Sequence, residues 1–223
     1  MDATYASHVL EEMSYDNAVD ILNELSKPKV ASLLTLMNKD KANEIKALLH
    51  YEEDTAGGIM TTEFISLKST TPVKEALIHV KEQAPDLLAI YVIFVVNEDE
   101  QLVGVLSLRD LIVAENDAYI EDVMSERVIS ANVGDDQEDI AQLMRDYDFI
   151  AVPVVDYQNH LLGIITIDDI LDVMDEEASE DYSRLAGVSD IDSTSDSVFK
   201  TASKRLPWLI VLTFLGMITA TIL

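Results

Sequence analysis

Gly104–Leu111 reads GVLSLRDL, and the same pattern returns further on, where Gly163–Ile170 reads GIITIDDI. Each begins with a lone glycine in an apolar run and ends in a hydroxyl residue and a polar pair. The repeat extends upstream, so that residues 60–113 and 124–172 are two copies of one unit. Met60-Thr61 opens the first copy and Met124-Ser125 the second. Extended segments follow, Phe64–Leu67 and Val128–Ala131, and then helices that begin near Val73 and near Asp135. The β-rich runs Tyr91–Val96 and Ile150–Val155 come next, separated from the glycine strands by the polar turns NEDEQ (97–101) and DYQNH (156–160). Continuous short apolar runs bounded by turn residues predict buried strands. Each unit is therefore β-α-β-β-α. One unit alone would leave its sheet uncovered, so two are expected to pack as a pseudo-symmetric pair.

Working outward, residues 1–50 carry helical periodicity and a second, shorter repeat. Met13, Ala18, Ile21 and Leu25 recur at one constant offset as Met37, Ala42, Ile45 and Leu49. Paired short helices repeated in this way predict a small helical array. Ser14 and Asn38 are placed to cap helices, and Lys27-Pro28 separates one repeat from the next. Between array and sheets lies YEEDTAGGIMTT (51–62), where Gly57-Gly58 is expected to end the helical pattern and turn the chain.

Downstream, Asp168–Asp196 is intensely acidic, with Arg184 its only basic residue. The run Leu206–Leu223 that follows carries no charge at all. Lys200, Lys204 and Arg205 precede it and Trp208 stands at its start. This pattern predicts a membrane helix with residues 1–205 on the cytoplasmic side. No signal peptide is visible at the other end.

The chain of 223 residues has a net charge of −27 and a pI near 4.1, which argues against nucleic-acid binding. It has no cysteine, so thiolate metal sites and disulfides are excluded. Its four histidines are scattered and no nucleophile elbow or phosphate-binding glycine loop occurs, so nothing supports catalysis.

The doubled unit resembles a tandem of CBS (cystathionine-β-synthase) domains, on its Met-Thr/Ser openings, VPVVD (152–156), single-glycine strands and closing SLRD and TIDD. The full order resembles the MgtE family of bacterial magnesium transporters and channels, most specifically at EEDTAGGIMT (52–61), VLSLRDLIVA (105–114), DYDF (146–149) and DDILDV (168–173). That resemblance implies an α + α/β multidomain chain. Its parts would be a partial helical N domain (1–52), CBS 1 (60–121), CBS 2 (122–176), an acidic connector with a plug helix (177–205), and part of a first transmembrane helix (206–223).

Candidate ligands fall into three acidic groups. Asp16 and Asp20 are one helical turn apart, so they share one helix face. Asp136 and Glu138 lie around a helix start, with Asp148 beyond that helix. Asp172, Glu177, Glu180 and Asp181 follow in the acidic stretch. The plain reading of each is a solvated acidic face or a favourable helix N-terminus. The family resemblance implies magnesium sites instead: Asp16 and Asp20 facing Asp169, Asp136 with Glu138, and Asp148 opposite Asp172. Asp168 and Asp175 stay undecided, and Asp190, Asp192 and Asp196 read as a solvated linker. An all-carboxylate donor set suits a hard cation, and no EF-hand loop is present. Carboxylates about 5 Å apart repel by roughly 3 kcal/mol at an effective dielectric near 20, and a bridging cation reverses the sign. A compact, closed state at high Mg²⁺ follows as an expectation. The resemblance also implies a homodimer, and an ATP site at Gly58, Arg109, Asp110 and Phe149, where Val92 replaces a stacking tyrosine and Tyr91 is adjacent. A nucleotide-sensing CBS module attached to another membrane protein is the alternative function.

Overall fold

The computed structural model describes residues 3–84 and 90–185, together with residues 206, 210, 211, 213, 214 and 216–218. Four helices come first: Ala3–Glu12 (α1), Tyr15–Asn23 (α2), Lys27–Leu36 (α3) and Lys39–Leu48 (α4). The starts of α1 and α3, and of α2 and α4, are offset as the sequence repeat predicts, and α1 packs on α3 while α2 packs on α4. Leu10, Ala18, Val19, Leu22, Leu33, Leu34, Ala42, Ile45 and Leu48 are buried between them. The repeat does not equalise environments, since Ile21 is 41% exposed whereas its counterpart Ile45 is fully buried. The caps differ too. Asn38 accepts the Asp40 N–H at 2.9 Å, but Ser14 makes no side-chain cap bond and instead accepts the Asn17 amide at 2.6 Å. Asn38→Ala is therefore expected to cost about 1 kcal/mol in chemical unfolding, whereas Ser14→Ala should fall well short of that.

The junction corrects one expectation. Gly57 and Gly58 do not end a helix; they lie inside a short one, Ala56–Ile59 (α5). What requires glycine is crowding. A Cβ on Gly58 would sit 2.3 and 2.4 Å from the Glu52 and Glu53 carbonyl oxygens. One on Gly57 would lie 2.7 Å from the Tyr51 ring and 2.8 Å from Val133. The junction is also fastened to the second copy: Ala56 N–H donates to Asp135 O, Gly57 N–H to Val133 O, and Gln137 N–H to Asp54 O.

The first copy comprises Ser66–Lys68 (β1), Val73–Gln83 (α6), Val92–Val96 (β2), Leu102–Ser107 (β3) and Leu108–Val113 (α7). After Ile120–Val123 (α8), the second comprises Ala131–Asn132 (β4), Gln137–Tyr147 (α9), Ala151–Val155 (β5), Leu161–Thr166 (β6) and Ile167–Leu185 (α10). Each sheet has three strands, β1-β2-β3 and β4-β5-β6, with the first pair parallel and the second antiparallel. Both have an irregular register at matching places, between Val95 and Val96 and between Val154 and Val155. Both hairpin turns hold a left-handed residue at the corresponding position, Glu100 at φ 60° and Asn159 at φ 68°.

The copies exchange their leads. Thr61 pairs with Ile164 on β6 through bonds of 2.8 and 2.9 Å, and Ser125 pairs with Val105 on β3 at the same lengths. The opening methionine of each copy thereby lies over the lone glycine of the other. A Cβ on Gly104 would meet Met124 Sδ at 2.4 Å, and one on Gly163 would meet Met60 Sδ at 2.8 Å. The methionine and the glycine that mark the repeat are two halves of one contact. Between the sheets, Phe94, Leu102, Val155 and Ile164 form a shared apolar cluster, with Phe64 edge-on to Phe94 at 6.4 Å. The first copy has its own core of Ile65, Val73, Ile93, Val95, Leu106 and Leu111, among others.

The chain divides into two compact units, residues 1–170 and 171–223, with α10 running from one into the other. Among the described residues, no helix is long and apolar enough to cross a membrane. The described residues of the predicted span, among them Leu206, Val211 and Ile218, are helical. Of the predicted acidic connector and plug helix (177–205), residues 186–205 lie outside the described residues.

Candidate functional site

Three elements of the first unit converge on a small cavity of about 200 Å³: the start of α2, the segment Thr61–Glu63, and the β6–α10 corner. Four carboxylates line it, those of Asp16, Glu63, Asp168 and Asp169. Each is brought there by a local rule. Asp16 is in the first turn of α2, where acids favour the helix N-terminus. Asp168 and Asp169 are in the first turn of α10. Glu63 follows closely on Thr61, whose backbone is pinned to Ile164.

The electrostatics of the cavity are strained. Asp16 Oδ1 is buried without a hydrogen-bond partner. Burial pushes the Asp169 carboxyl up to about 7; the Thr166 hydrogen bond opposes this, and the charges of Asp16 and Asp168 add to it. Burial and then Asp16 also raise Glu63, while Lys41 and the Tyr15 N–H pull it back. Thr166 Oγ1 lies 2.5 Å from oxygens of both Asp168 and Asp169. A hydroxyl has one proton to donate, so Asp168 and Asp169 cannot both accept from it. The single hydroxyl proton therefore leaves this pair of carboxylates under-served, a gap that a cation would fill.

The donor set fits a hard cation: oxygen only, anionic, and with one oxygen lacking any partner. Among the described residues no three acids or histidines converge as ligands of a single ion.

The other predicted acids are not gathered into this cavity. Asp20 is exposed on α2, one turn past Asp16. Asp136 caps α9, accepting the Glu138 N–H at 2.9 Å, and both are exposed. Asp148 is the exposed C-cap of α9, at φ 55°. It breaks two local rules, because an acid is unfavourable at a helix C-terminus and a non-glycine residue is uncommon in the left-handed region. Asp172, Glu177, Glu180 and Asp181 lie on α10 within the second unit, with Asp172 exposed and Glu177 half-buried.

Comparing the two copies isolates these acids. Asp136, Glu138 and Asp148 of the second copy correspond to Pro72, Lys74 and Ala84 of the first. Asp168 and Asp172 correspond to Arg109 and Val113. Only Asp169 has an acidic counterpart, Asp110. Both acids accept hydrogen bonds from the hydroxyl residue that ends the preceding strand, Ser107 to Asp110 at 2.6 Å and Thr166 to Asp169. At these positions the shared scaffold is thus acidic in the second copy and, apart from Asp110, not in the first.

The nucleotide candidates are dispersed. Tyr91 and Arg109 line a second cavity of about 370 Å³ with Ser107, Leu108, Ile112 and Val113. Asp110 is engaged by Ser107 beside it. Gly58 is not among the residues lining that cavity; it is crowded by the Glu52 and Glu53 carbonyls. Phe149 stacks on Tyr147 at 5.4 Å and 11°. Tyr91 is 67% exposed, whereas Val92 is half-buried and packs into the cluster between the copies. Sequence reasoning overlooked Glu63, Lys41 and Thr166 as members of the site. The Ser107–Thr166 correspondence was the available signal for Thr166; nothing local marks Glu63 or Lys41.

Comparison with known proteins agrees with this architecture. The family described as "MgtE intracellular N domain" matches residues 1–54, and the "CBS domain" family matches residues 56–117 and 120–176. The magnesium transporter MgtE of Enterococcus faecalis is 58% identical over 184 residues, which cover 82% of this chain and 40% of that protein. Among solved structures, the soluble part of a magnesium transporter is 56% identical with a TM-score of 0.76, covering 80% of this chain and 70% of that one. The cytosolic domain of the Mg²⁺ channel MgtE in complex with ATP is 42% identical with a TM-score of 0.71, covering 75% and 68%. The chain therefore spans less than half the length of the Enterococcus protein it matches. With an N-domain match, two CBS matches and solved relatives of this identity, the chain belongs to the MgtE family of magnesium transporters.

Proposed function

We propose that this chain is the Mg²⁺-sensing cytosolic gate of a magnesium channel or transporter. Mg²⁺ binds between the N domain and the CBS pair, and the compact state it favours closes the pore of the whole protein. The observation that carries this reading is the Asp16–Asp169 cavity, lined by four carboxylates and holding a buried Asp16 oxygen without a hydrogen-bond partner. In this reading Asp16 and Asp169 hold the ion with water completing its shell, and Asp20 adds charge on the same helix face. Asp136 with Glu138 serves as a further weak site, and Asp148, Asp172, Glu177, Glu180 and Asp181 add further carboxylates for the ion within their own units. The confinement of these acids to one copy supports a role beyond solubility. A cation that binds the compact state more tightly shifts the population toward it.

Small-angle scattering of the chain in detergent tests the reading. The radius of gyration is expected to fall as Mg²⁺ rises through the millimolar range, and a radius that stays constant overturns it. The same proposal carries a homodimer and cytoplasmic placement of residues 1–205, with the membrane domain following.

ATP is a second ligand of this reading, supported by the ATP complex of the related cytosolic domain and by the Arg109 cavity. The charge of Arg109 suits the phosphates and Tyr91 stands exposed in place of Val92. Arg109→Ala is expected to remove an ATP-induced thermal shift while leaving the Mg²⁺ shift intact. Loss of both shifts would instead assign Arg109 to the fold. No catalytic step is part of the proposal.

A further inference from the structure

Of the two helical repeats, only one aims its acid into a cavity. Asp16 in the first turn of α2 and Asp40 in the first turn of α4 hold the same place in the repeat. Asp16 lines the four-carboxylate cavity, whereas Asp40 is exposed. The corners that lead into these two helices differ as well.

Helix α1 ends at Glu12 and α2 begins at Tyr15. The last carbonyls of a helix have no partner within it, and here they are served from α4. The Lys41 ammonium donates to the Glu11 carbonyl at 2.8 Å and to the Met13 carbonyl, and it lies 4.7 Å from the centre of the Tyr15 ring. A cation suits both places, the C-terminal end of a helix and the face of an aromatic ring. At the start of the same α4, the backbone N–H of Asn38 donates to the Glu11 carboxylate. Residues 11, 13 and 15 are thus gripped from one helix, and Asp16 is the next residue along.

The chain has 42 acidic and 15 basic residues, so carboxylates abound as partners for a lysine, yet this one is directed at two backbone carbonyls. The repeat does not supply the grip either. The counterpart of Lys41 is Asn17, whose amide donates to Ser14 Oγ at 2.6 Å within its own helix start. The counterpart of Glu11 is Thr35, whose hydroxyl turns back to the Ala31 carbonyl at 2.7 Å. Helix α4 is capped from within by Asn38, whereas Ser14 gives α2 no side-chain cap.

We propose that Lys41 is a positioning residue for Asp16: by closing the α1–α2 corner from α4, it holds the first turn of α2 where the Asp16 carboxylate faces Asp168 and Asp169. Those carboxylates repel Asp16, and a loose corner would let it withdraw. The clamp keeps the site assembled before any cation arrives, so that binding does not bear the cost of ordering it. The effect on cation binding rests on the Mg²⁺-sensing reading; the clamp on the corner does not.

Amide hydrogen exchange and Mg²⁺ titration of the isotope-labelled chain in detergent, both followed by NMR, test the proposal. The Ala18 N–H donates to Ser14 O at 3.1 Å and closes the first turn of α2. The Leu49 N–H, bonded to Ile45 O at 2.9 Å at the far end of α4, is the control. Lys41→Met keeps the length of the stem and removes the donors and the charge. In EDTA it is expected to speed exchange at Ala18 about tenfold, the worth of one charge-assisted hydrogen bond, and to leave Leu49 unchanged. Its Mg²⁺ midpoint, read from the Asp16 and Thr166 amide resonances, should rise about tenfold, the lower end of what is lost when a group behind a metal ligand is removed. Lys41→Arg keeps the charge and can donate to both carbonyls, so it should bring both values back near the parent's. Unchanged exchange at Ala18 in Lys41→Met overturns the clamp. So does equal acceleration at Leu49, which would assign Lys41 to the stability of the N domain as a whole. Faster exchange at Ala18 with an unchanged Mg²⁺ midpoint overturns the positioning of Asp16. If Mg²⁺ moves no resonance of the parent while Lys41→Met still speeds Ala18, the sensing reading fails and the clamp stands.

Discussion

Asp169→Asn is expected to be more stable than the parent in EDTA at pH 8, and to lose most of the stabilisation that Mg²⁺ gives. The sign follows from the buried carboxyl. Its pKa is raised from an ordinary 3.8 to about 7, chiefly by burial and then by Asp16 and Asp168. A carboxyl raised on folding contributes stability that is fully present below its unfolded pKa and is lost as the pH rises through the folded value. The metal-free parent should therefore gain stability as the pH falls from about 8 to about 4, until other carboxylates begin to titrate. Because Asp169 is partly open to water, the gain is on the order of 2 kcal/mol rather than the full worth of the shift. For a unit of this size that is roughly 4–8 °C in Tm. The asparagine side chain keeps an oxygen for Thr166 but carries no charge, so it should remove both the pH dependence and the response to Mg²⁺. Thermal unfolding at pH 5 and pH 8, each in EDTA and in millimolar Mg²⁺, reads all four arms. A parent that is less stable at pH 5 than at pH 8 in EDTA would contradict this account of the cavity.

Gly58→Ala should produce the largest loss of stability among single-methyl changes in the described residues. Its Cβ would come within 2.3 and 2.4 Å of two backbone carbonyl oxygens. Backbone cannot rotate aside as a side chain can, so the Glu52–Glu53 turn or α5 must move. Both are constrained, α5 by its bonds to Val133 and Asp135. A cost of about 3 kcal/mol is expected, with loosening of the N domain from the CBS pair visible as faster hydrogen exchange at Ala56 and Gly57. Gly134→Ala is the matched control: its Cβ meets only the Tyr157 hydroxyl, at 3.7 Å. It should stay within about 0.5 kcal/mol of the parent. Equal effects at the two glycines would show that crowding is not what Gly58 relieves.

The architecture was legible because its signals are periodic. The short repeat marked the four helices, and the longer one marked the two sheets with their matched turns. The role of Gly57-Gly58 was misread because sequence reports a glycine without its neighbours, and here the neighbours are the carbonyls of Glu52 and Glu53 and the side chain of Val133. The site was half legible. Asp16 and Asp169 line one cavity; it was the family resemblance that paired them, because spacing alone reads Asp16 and Asp20 as a solvated helix face. Glu63 and Lys41 were not legible, because their places beside the cavity and over the Tyr15 ring are set by residues remote from them along the chain. The acids of α9 follow favourable helix rules at Asp136 and Glu138, and only Asp148 departs from ordinary helix chemistry.

The exchanged leads have a consequence for how the chain is made. Thr61 must wait for Ile164 before its backbone is paired. At about 5–20 residues per second, the ribosome delivers that partner roughly 5–20 s later. Throughout that interval the first sheet is complete in sequence, yet Met60 has no glycine to cover and Phe94 faces no second sheet. A nascent chain halted between the copies would display the apolar face of Phe94 and Leu102 to the cytosol, a surface for chaperones or for a second unfinished chain. Order of synthesis, as much as final stability, therefore bears on why the two copies are joined by so short a connection.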